Sequence, residues 1–494
     1  MAVEPSVFRH HWRAFLAGGI LSLTRLAAGF VRIKYVALVL GTAGVGFLSQ
    51  ATQLQLLGIS IASLSIAVGI INRMGAIGPA NRAREQRLLS TAFTAQTTIS
   101  LTLLGAAILL SGPLTRAVFG EEALAQSPVS TLDILAVVFS VPLSVAASGY
   151  LEAVFFGAGR YDLYVRASVW ATVLGFLATL GIIWVWRLPG AFWSFFAGST
   201  LLLTSFLIFV RRVRPFGQLF ALGFDLVEAN ALFRFSAVAL FSNALVPAAR
   251  LWVGRSVISS YGIDAWGLLQ VPAAVTAYYT PFLTNALWGR MHPAVTRRGA
   301  SPEARHELTV AVRLTVTLST AAIVALLFLK DILVPLAYSR AFLPATRFLP
   351  AQLLGDYFFF VAFPFTVYTL GISRLRVYIA AWAAYAVVAV GASFALLPVL
   401  GLVAVPVGYG ISAAVGAAVS LVWLVSRRDE GLATTIAMIG AGLVVVSLQS
   451  YLAWRESYIV IQGALCVASS LAAAAFLWST LATSAVDSEN GLAG

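Results

Sequence analysis

Apolar residues do not alternate along this chain; they run. Stretches of mainly apolar residues, each long enough for a full helix, recur from residue 14 to residue 481, divided by short polar loops. A helix needs about 20 such residues to cross a hydrocarbon core, whereas barrel strands show short segments of period two. The pattern predicts helices over 14–39, 46–71, 89–112, 130–156, 164–186, 190–210, 234–260, 267–289, 309–329, 349–371, 376–398, 401–425, 432–450 and 458–481. The expected fold class is an all-α polytopic membrane protein of about fourteen transmembrane helices. An even number puts both chain ends on one side.

The polar segment 211–233 joins the sixth helix to the seventh. Helices 1 and 7 then start from the same side, which is the arrangement of parallel repeats about an axis along the membrane normal. The stretch Val31–Gly46, VRIKYVALVLGTAGVG, carries the repeat signal. Arg255, Gly262 and Gly267 reproduce the spacing of Lys34, Gly41 and Gly46, 221 residues later. The basic loops with Arg82, Arg84 and Arg87, and with Arg297, Arg298 and Arg305, follow in the same order. The expected organisation is two six-helix bundles, 1–210 and 234–425, around a central cavity. The linker 211–233 joins them, and 426–494 adds two further helices and a short tail.

Composition narrows the function. The 494 residues are 60% hydrophobic and only 10% charged, which leaves no room for a large soluble domain. The net charge of +13 needs no nucleic acid to explain it: twenty of the 32 Lys and Arg fall in loops on one side and six on the other. That bias places both termini in the cytoplasm. Residues 1–13 are basic, and with no small-residue cleavage site after them they read as the start of an uncleaved first helix. Cys466 is the single cysteine, so neither an intramolecular disulfide nor a cysteine metal cluster can form. The four His lie at span ends without metal-ligand spacing, and no metal site is expected. No Walker motif and no nucleophile–base pair stand out, so no catalytic residues and no cofactor are expected. Coupling to protons or Na⁺ stays open.

The informative residues are charges inside the spans. Arg25, Arg32 and Lys34 lie in the first helix, and Arg250 and Arg255 in the seventh. A charge at mid-membrane costs about 2.5–3.5 kcal/mol on insertion scales. Either these side chains snorkel or pair with acids, or they face water and receive a mobile anion. The acids within spans are Asp133, Glu152 and Asp356, too few to neutralise the cations. We therefore expect the cations to form a substrate-binding, anion-receiving surface. Arg25 and Arg32 are seven apart and share a helix face, while Lys34 points roughly opposite Arg25. Glu152 reads equally as an ion-coupling residue or a counter-ion. Asp356 opens the tenth helix and reads either as an acid that favours the N-terminal dipole or, like Glu152, as an ion-coupling residue or counter-ion. Polar residues on the second and eighth helices, Gln50, Gln55 and Tyr279 among them, suit hydrogen bonds between helices or contacts to sugars.

At these residues a resemblance emerges. LGTAGVGFLSQ after Lys34, with Arg25 and Gly29 before it, resembles the lipid-linked oligosaccharide flippases of the MOP exporter superfamily, the Wzx type that carries O-antigen or enterobacterial common antigen units. Tyr261–Gly267 with Gln270, the run Gln352–Asp356, and Arg376-Val377-Tyr378 continue it in order. The resemblance implies alternating access between two bundles and a substrate of undecaprenyl-pyrophosphate oligosaccharide, flipped from the cytoplasmic to the outer leaflet of a bacterial inner membrane. It also implies polysaccharide polymerase and chain-length proteins as partners. Arg32 and Glu152 stand at positions apolar in a relative, so the resemblance assigns them no role. Alternatives are a flippase of peptidoglycan precursor, a drug or cation antiporter, and a polymerase- or ligase-type membrane enzyme. An antiporter for cations should line its cavity with acids, and such an enzyme should carry a sizeable outside loop.

Overall fold

A computed structural model describes residues 5–77, 81–125, 127–372, 374–427, 432–455 and 458–490. Both chain ends, and residues 78–80 and 428–431 of the basic loops, lie outside them, Arg428 included. The described chain is helical and without strands. In order the helices are α1 (Pro5–Ser63), α2 (Ile66–Ile77), α3 (Arg82–Leu109), α4 (Ser111–Phe119), α5 (Glu121–Ala125), α6 (Thr131–Ser144), a π-helical segment (Val145–Leu151) and α7 (Glu152–Gly157). Then come α8 (Tyr161–Val210), α9 (Phe216–Leu219), α10 (Leu226–Arg298), α11 (Pro302–Ala337), α12 (Leu349–Gly371), α13 (Leu375–Leu400), α14 (Ala404–Arg427), α15 (Leu432–Arg455) and α16 (Ile459–Asn490).

Every span read from the hydropathy pattern has its helix. Three long helices hide a break where two spans were expected: α1 at Gly41, α8 at Arg187 and α10 at Gly262. Gly41 (φ 66°, ψ −164°) and Gly262 (φ 84°, ψ 167°) occupy a backbone region that essentially only glycine enters. They are the two glycines 221 residues apart. Arg187 (φ 51°) turns the chain just ahead of Leu188-Pro189, where proline disfavours a preceding helical residue. Gly401 does the same work after α13.

Among the described residues, nine helical stretches are long and apolar enough to cross a membrane, several of them containing such a break. This is a multi-pass membrane protein. Helix α10 is not one of the nine. Some helices outrun their apolar runs. The third begins at Arg82 rather than 89, because the Asn81 side chain accepts the Arg84 N–H at 3.2 Å and caps the polar first turns. The ninth begins at Pro302, with Ser301 as N-cap.

The chain divides into two compact units, Met1–Leu268 and Leu269–Gly494. In the first, α1 and α6 pack along α8, and α2 packs on α7. Tyr150, Leu151, Val154, Phe155 and Phe206 fill its core. The segment after α8 is fastened to α3. Arg214 pairs with Glu85, Arg84 with Glu228 at 2.7 Å, and Arg87 with Asp225 at 3.7 Å. The Tyr150 hydroxyl donates to the Leu219 carbonyl at 2.5 Å. In the second unit α14 packs against α12 and α13, and α11 carries α15 and α16.

Candidate functional site

Arg25 is exposed on α1. Its Nη2 donates to the Tyr164 hydroxyl of α8 at 3.4 Å. The Glu152 carboxylate faces both Arg25 and Tyr164. Arg25 and Glu152 nevertheless form no direct ion pair, so the phenol links them. The local backbone explains where Glu152 sits. Pro142 in α6 has no N–H to donate, and the chain beyond it runs π-helical from Val145 to Leu151. The Glu152 N–H then bonds five residues back, to the Ala147 carbonyl. Phe156, Tyr161 and Tyr164 make mutual ring contacts at 4.8–5.8 Å around this group.

Of the other predicted cations, Arg32 is exposed and Lys34 half-buried on α1, ahead of the Gly41 break. Arg250 and Arg255 are half-buried on α10, ahead of the Gly262 break. Among the described residues, Arg25, Arg32, Arg250 and Arg255 take part in no ion pair. The structure brings together Arg25 and Glu152. Arg255 belongs to a different group: with Arg116, Glu121, Glu122 and Ser259 it lines a cavity of about 460 Å³ in the first unit. Its guanidinium lies against Gly120, where a Cβ would come within 2.6 Å of Nη1.

The two glycine turns meet. A Cβ on Gly46 would run into the Ile263 carbonyl oxygen, and one on Gly267 into the Thr42 carbonyl oxygen. Adding 221 to 46 and 42 gives 267 and 263, so the contact is reciprocal about the repeat. The Thr42 hydroxyl donates to Asp264 across it. Nearby, Gln50 Nε2 donates to the Val118 and Leu251 carbonyls at 3.1 and 3.2 Å. That is the interhelical role open to it from sequence.

Asp356 lies in the second unit. Helix α12 begins at Leu349, so Asp356 is about two turns in and does not serve the helix N-terminus. It is fully buried. Its Oδ2 accepts from Thr276 Oγ1 and Tyr279 Oη, and its Oδ1 from Tyr409 Oη, all at 2.7 Å. Gln352 Nε2 adds a longer bond of 3.4 Å to Oδ1. No cation faces it among the described residues. An ionised carboxylate buried without a cation is costly even when hydrogen-bonded, so the arrangement suits a group that takes up a proton or a small cation.

Tyr164, Arg116, Gly120, Thr276 and Tyr409 were not singled out by sequence reasoning. Tyr164, Gly120, Thr276 and Tyr409 meet partners tens to hundreds of residues away, and Arg116, paired with Glu121 five residues on, shares its cavity with the distant Arg255; no local pattern marks any of them. Tyr279 and Gln352 were visible as polar residues in apolar helices.

No family model matches the sequence, and no curated protein matches it. Solved structures do. A lipid II flippase MurJ in an inward closed conformation superposes with a TM-score of 0.68 over 95% of this chain and 99% of that one, at 13% identity. An inward-facing multidrug resistance MATE transporter of the MOP superfamily gives 0.65 over 85% and 95%, at 14% identity. The Vibrio cholerae MATE transporter VcmN, in a mutant form, gives 0.58 over 86% and 98%, also at 14%. The fold is that of the MOP-superfamily transporters. At these identities the likeness is one of fold.

The Tyr164 hydroxyl holds the Arg25 fork in place. Tyr164→Phe is expected to leave the protein folded, because the ring contacts persist, and to weaken binding of an anionic probe at Arg25 several-fold. The donor is charged but the bond is long at 3.4 Å, so the effect falls at or below the low end of the about 1.5–3 kcal/mol of a hydrogen bond to a charged group. Titration of purified protein with a fluorescent polyprenyl diphosphate measures it; equal affinities in the two proteins would show that the phenol does not position Arg25.

Proposed function

We propose that this chain is a flippase for a lipid-linked oligosaccharide, moving an undecaprenyl-pyrophosphate glycan from the cytoplasmic to the outer leaflet of the bacterial inner membrane. The observation that carries the reading is the set of intramembrane arginines, Arg25, Arg32, Arg250 and Arg255, that no acid pairs with among the described residues. Guanidinium matches diphosphate oxygens in a two-pronged fashion and keeps its charge at any physiological pH. A lipid tail stays in the bilayer while only the head crosses, so a cationic surface for the head is sufficient. The chain acts as a transporter and not as an enzyme. Both termini face the cytoplasm, as the basic loops argue.

Asp356 is the residue we assign to ion coupling. Asp356→Asn keeps the size of the side chain but exchanges no proton and brings no negative charge to balance Na⁺. We expect it to bind substrate normally and to lose the dependence of transport on an imposed proton or Na⁺ gradient. Transport by this variant that still follows the gradient would remove Asp356 from that role.

The MurJ likeness favours a second reading, in which the head is a muropeptide rather than a glycan chain. Reconstitution decides between them. Proteoliposomes would be given lipid-linked oligosaccharide or lipid-linked muropeptide, and leaflet exposure followed by an impermeant label. We expect translocation of the oligosaccharide lipid. Translocation of the muropeptide alone would give the second reading, and no translocation of either would sink both.

A further inference from the structure

The connector between α8 and α10 has two unlike faces. One is fastened to α3 and the core by the ion pairs of Arg214, Asp225 and Glu228 and by buried Leu219, and the Gly223 N–H donates to Thr94 Oγ1 at 3.1 Å. The other presents large apolar side chains to the outside: Leu222 is 79% exposed, Phe224 55%, Leu226 77% and Val227 73%. A loop bathed in water would gain nothing by holding such residues outward. Beside this strip, at the end of α8, stand Arg211 and Arg212. Both are exposed and in no ion pair among the described residues, and Arg212 packs over the Phe209 ring at 5.6 Å.

We propose that this connector lies in the membrane interface, with Leu222, Phe224, Leu226 and Val227 at the boundary of headgroups and acyl chains and Arg211 and Arg212 on the phosphates of anionic phospholipids. Two observations choose lipid as the occupant. The strip lies in the short connector that follows Val210, where a stretch long and apolar enough to cross a membrane ends, so a bilayer surface is within its reach. The charges flanking it are cationic, complementary to an anionic leaflet, and a strip of apolar residues beside arginines is the pattern of interfacial segments. The proposal does not depend on what the protein transports.

The single cysteine makes the test direct. In a Cys466→Ser background, Leu222→Cys and, separately, Val227→Cys would carry an environment-sensitive fluorophore, with the full chain in nanodiscs of phosphatidylcholine alone or with one third phosphatidylglycerol. We expect blue-shifted emission, quenching by doxyl-labelled lipid several-fold stronger than by aqueous iodide, and stronger lipid quenching in the anionic discs. Arg211→Glu with Arg212→Glu should erase the difference between the two lipids. Labels quenched by iodide and not by lipid would overturn the placement. Equal lipid quenching in both discs would overturn the assignment of the arginines. Shielding from both quenchers would show a protein surface as the occupant instead.

Discussion

Replacing Arg25 by alanine is expected to weaken binding of a polyprenyl diphosphate about ten- to a hundredfold, the cost of removing a hydrogen-bonded charge, and to stop export at normal membrane levels of the protein. The size of the effect follows from the surroundings of Arg25. Its partner is a neutral phenol at 3.4 Å, and Glu152 is held off from direct pairing, so the cation is available to an incoming anion. Arg25→Lys should recover part of the affinity, because it keeps the charge and loses the fork. Arg313→Ala is the control: that guanidinium bonds the Thr435 hydroxyl at 2.8 Å in the second unit, near the start of α11. The measurement is direct binding to detergent-purified protein, alongside export in cells. Unchanged affinity in Arg25→Ala would end the case for an anion-receiving arginine on α1.

The second large effect is structural. Gly267→Ala should destabilise the first unit by about 1–3 kcal/mol, since the added methyl collides with a backbone carbonyl rather than with a side chain able to turn away. Gly46→Ala should cost a similar amount, because its methyl meets Ile263 in the same way. Gly105→Ala has nothing within 4 Å and should be harmless. The thermal unfolding midpoint of each purified variant reads this out. Equal midpoints for Gly267→Ala and Gly105→Ala would mean that the two turns are not in backbone contact.

How far the sequence reached follows from the range of the forces. Hydropathy is local, so the spans and the breaks at Gly41, Arg187, Gly262 and Gly401 were readable. The spacing of 221 residues also marked Gly46 and Gly267, although nothing in it said that each would meet the other's turn. Arg25 and Glu152 were visible because charge among apolar residues is conspicuous. That Tyr164 joins them was hidden, because a tyrosine near a span end reads as an interface anchor. The helix start at 349 was readable, and it already put Asp356 about two turns in, too far to serve the N-terminal dipole; its hydroxyl partners were hidden, because they come from α10 and α14. The cavity lined by Arg255 depends on α4 and α5, two short elements in a loop without strong pattern.

The π-helical segment ahead of Glu152 has a mechanical consequence. A wide turn can be given back: if Glu152 and its neighbours exchange their bonds five residues back for bonds four residues back, the chain beyond rotates by one residue's share of a turn, about 100°. The backbone stays fully bonded at both ends of that exchange. Pro142, whose nitrogen carries no hydrogen, fixes one end of the movable stretch, and the buried side chains Val154 and Phe155 mark the part that would have to turn. The carboxylate that faces Arg25 is thus mounted on a turn with a residue to give back, and a change of register there would carry it around the helix axis like a ratchet tooth.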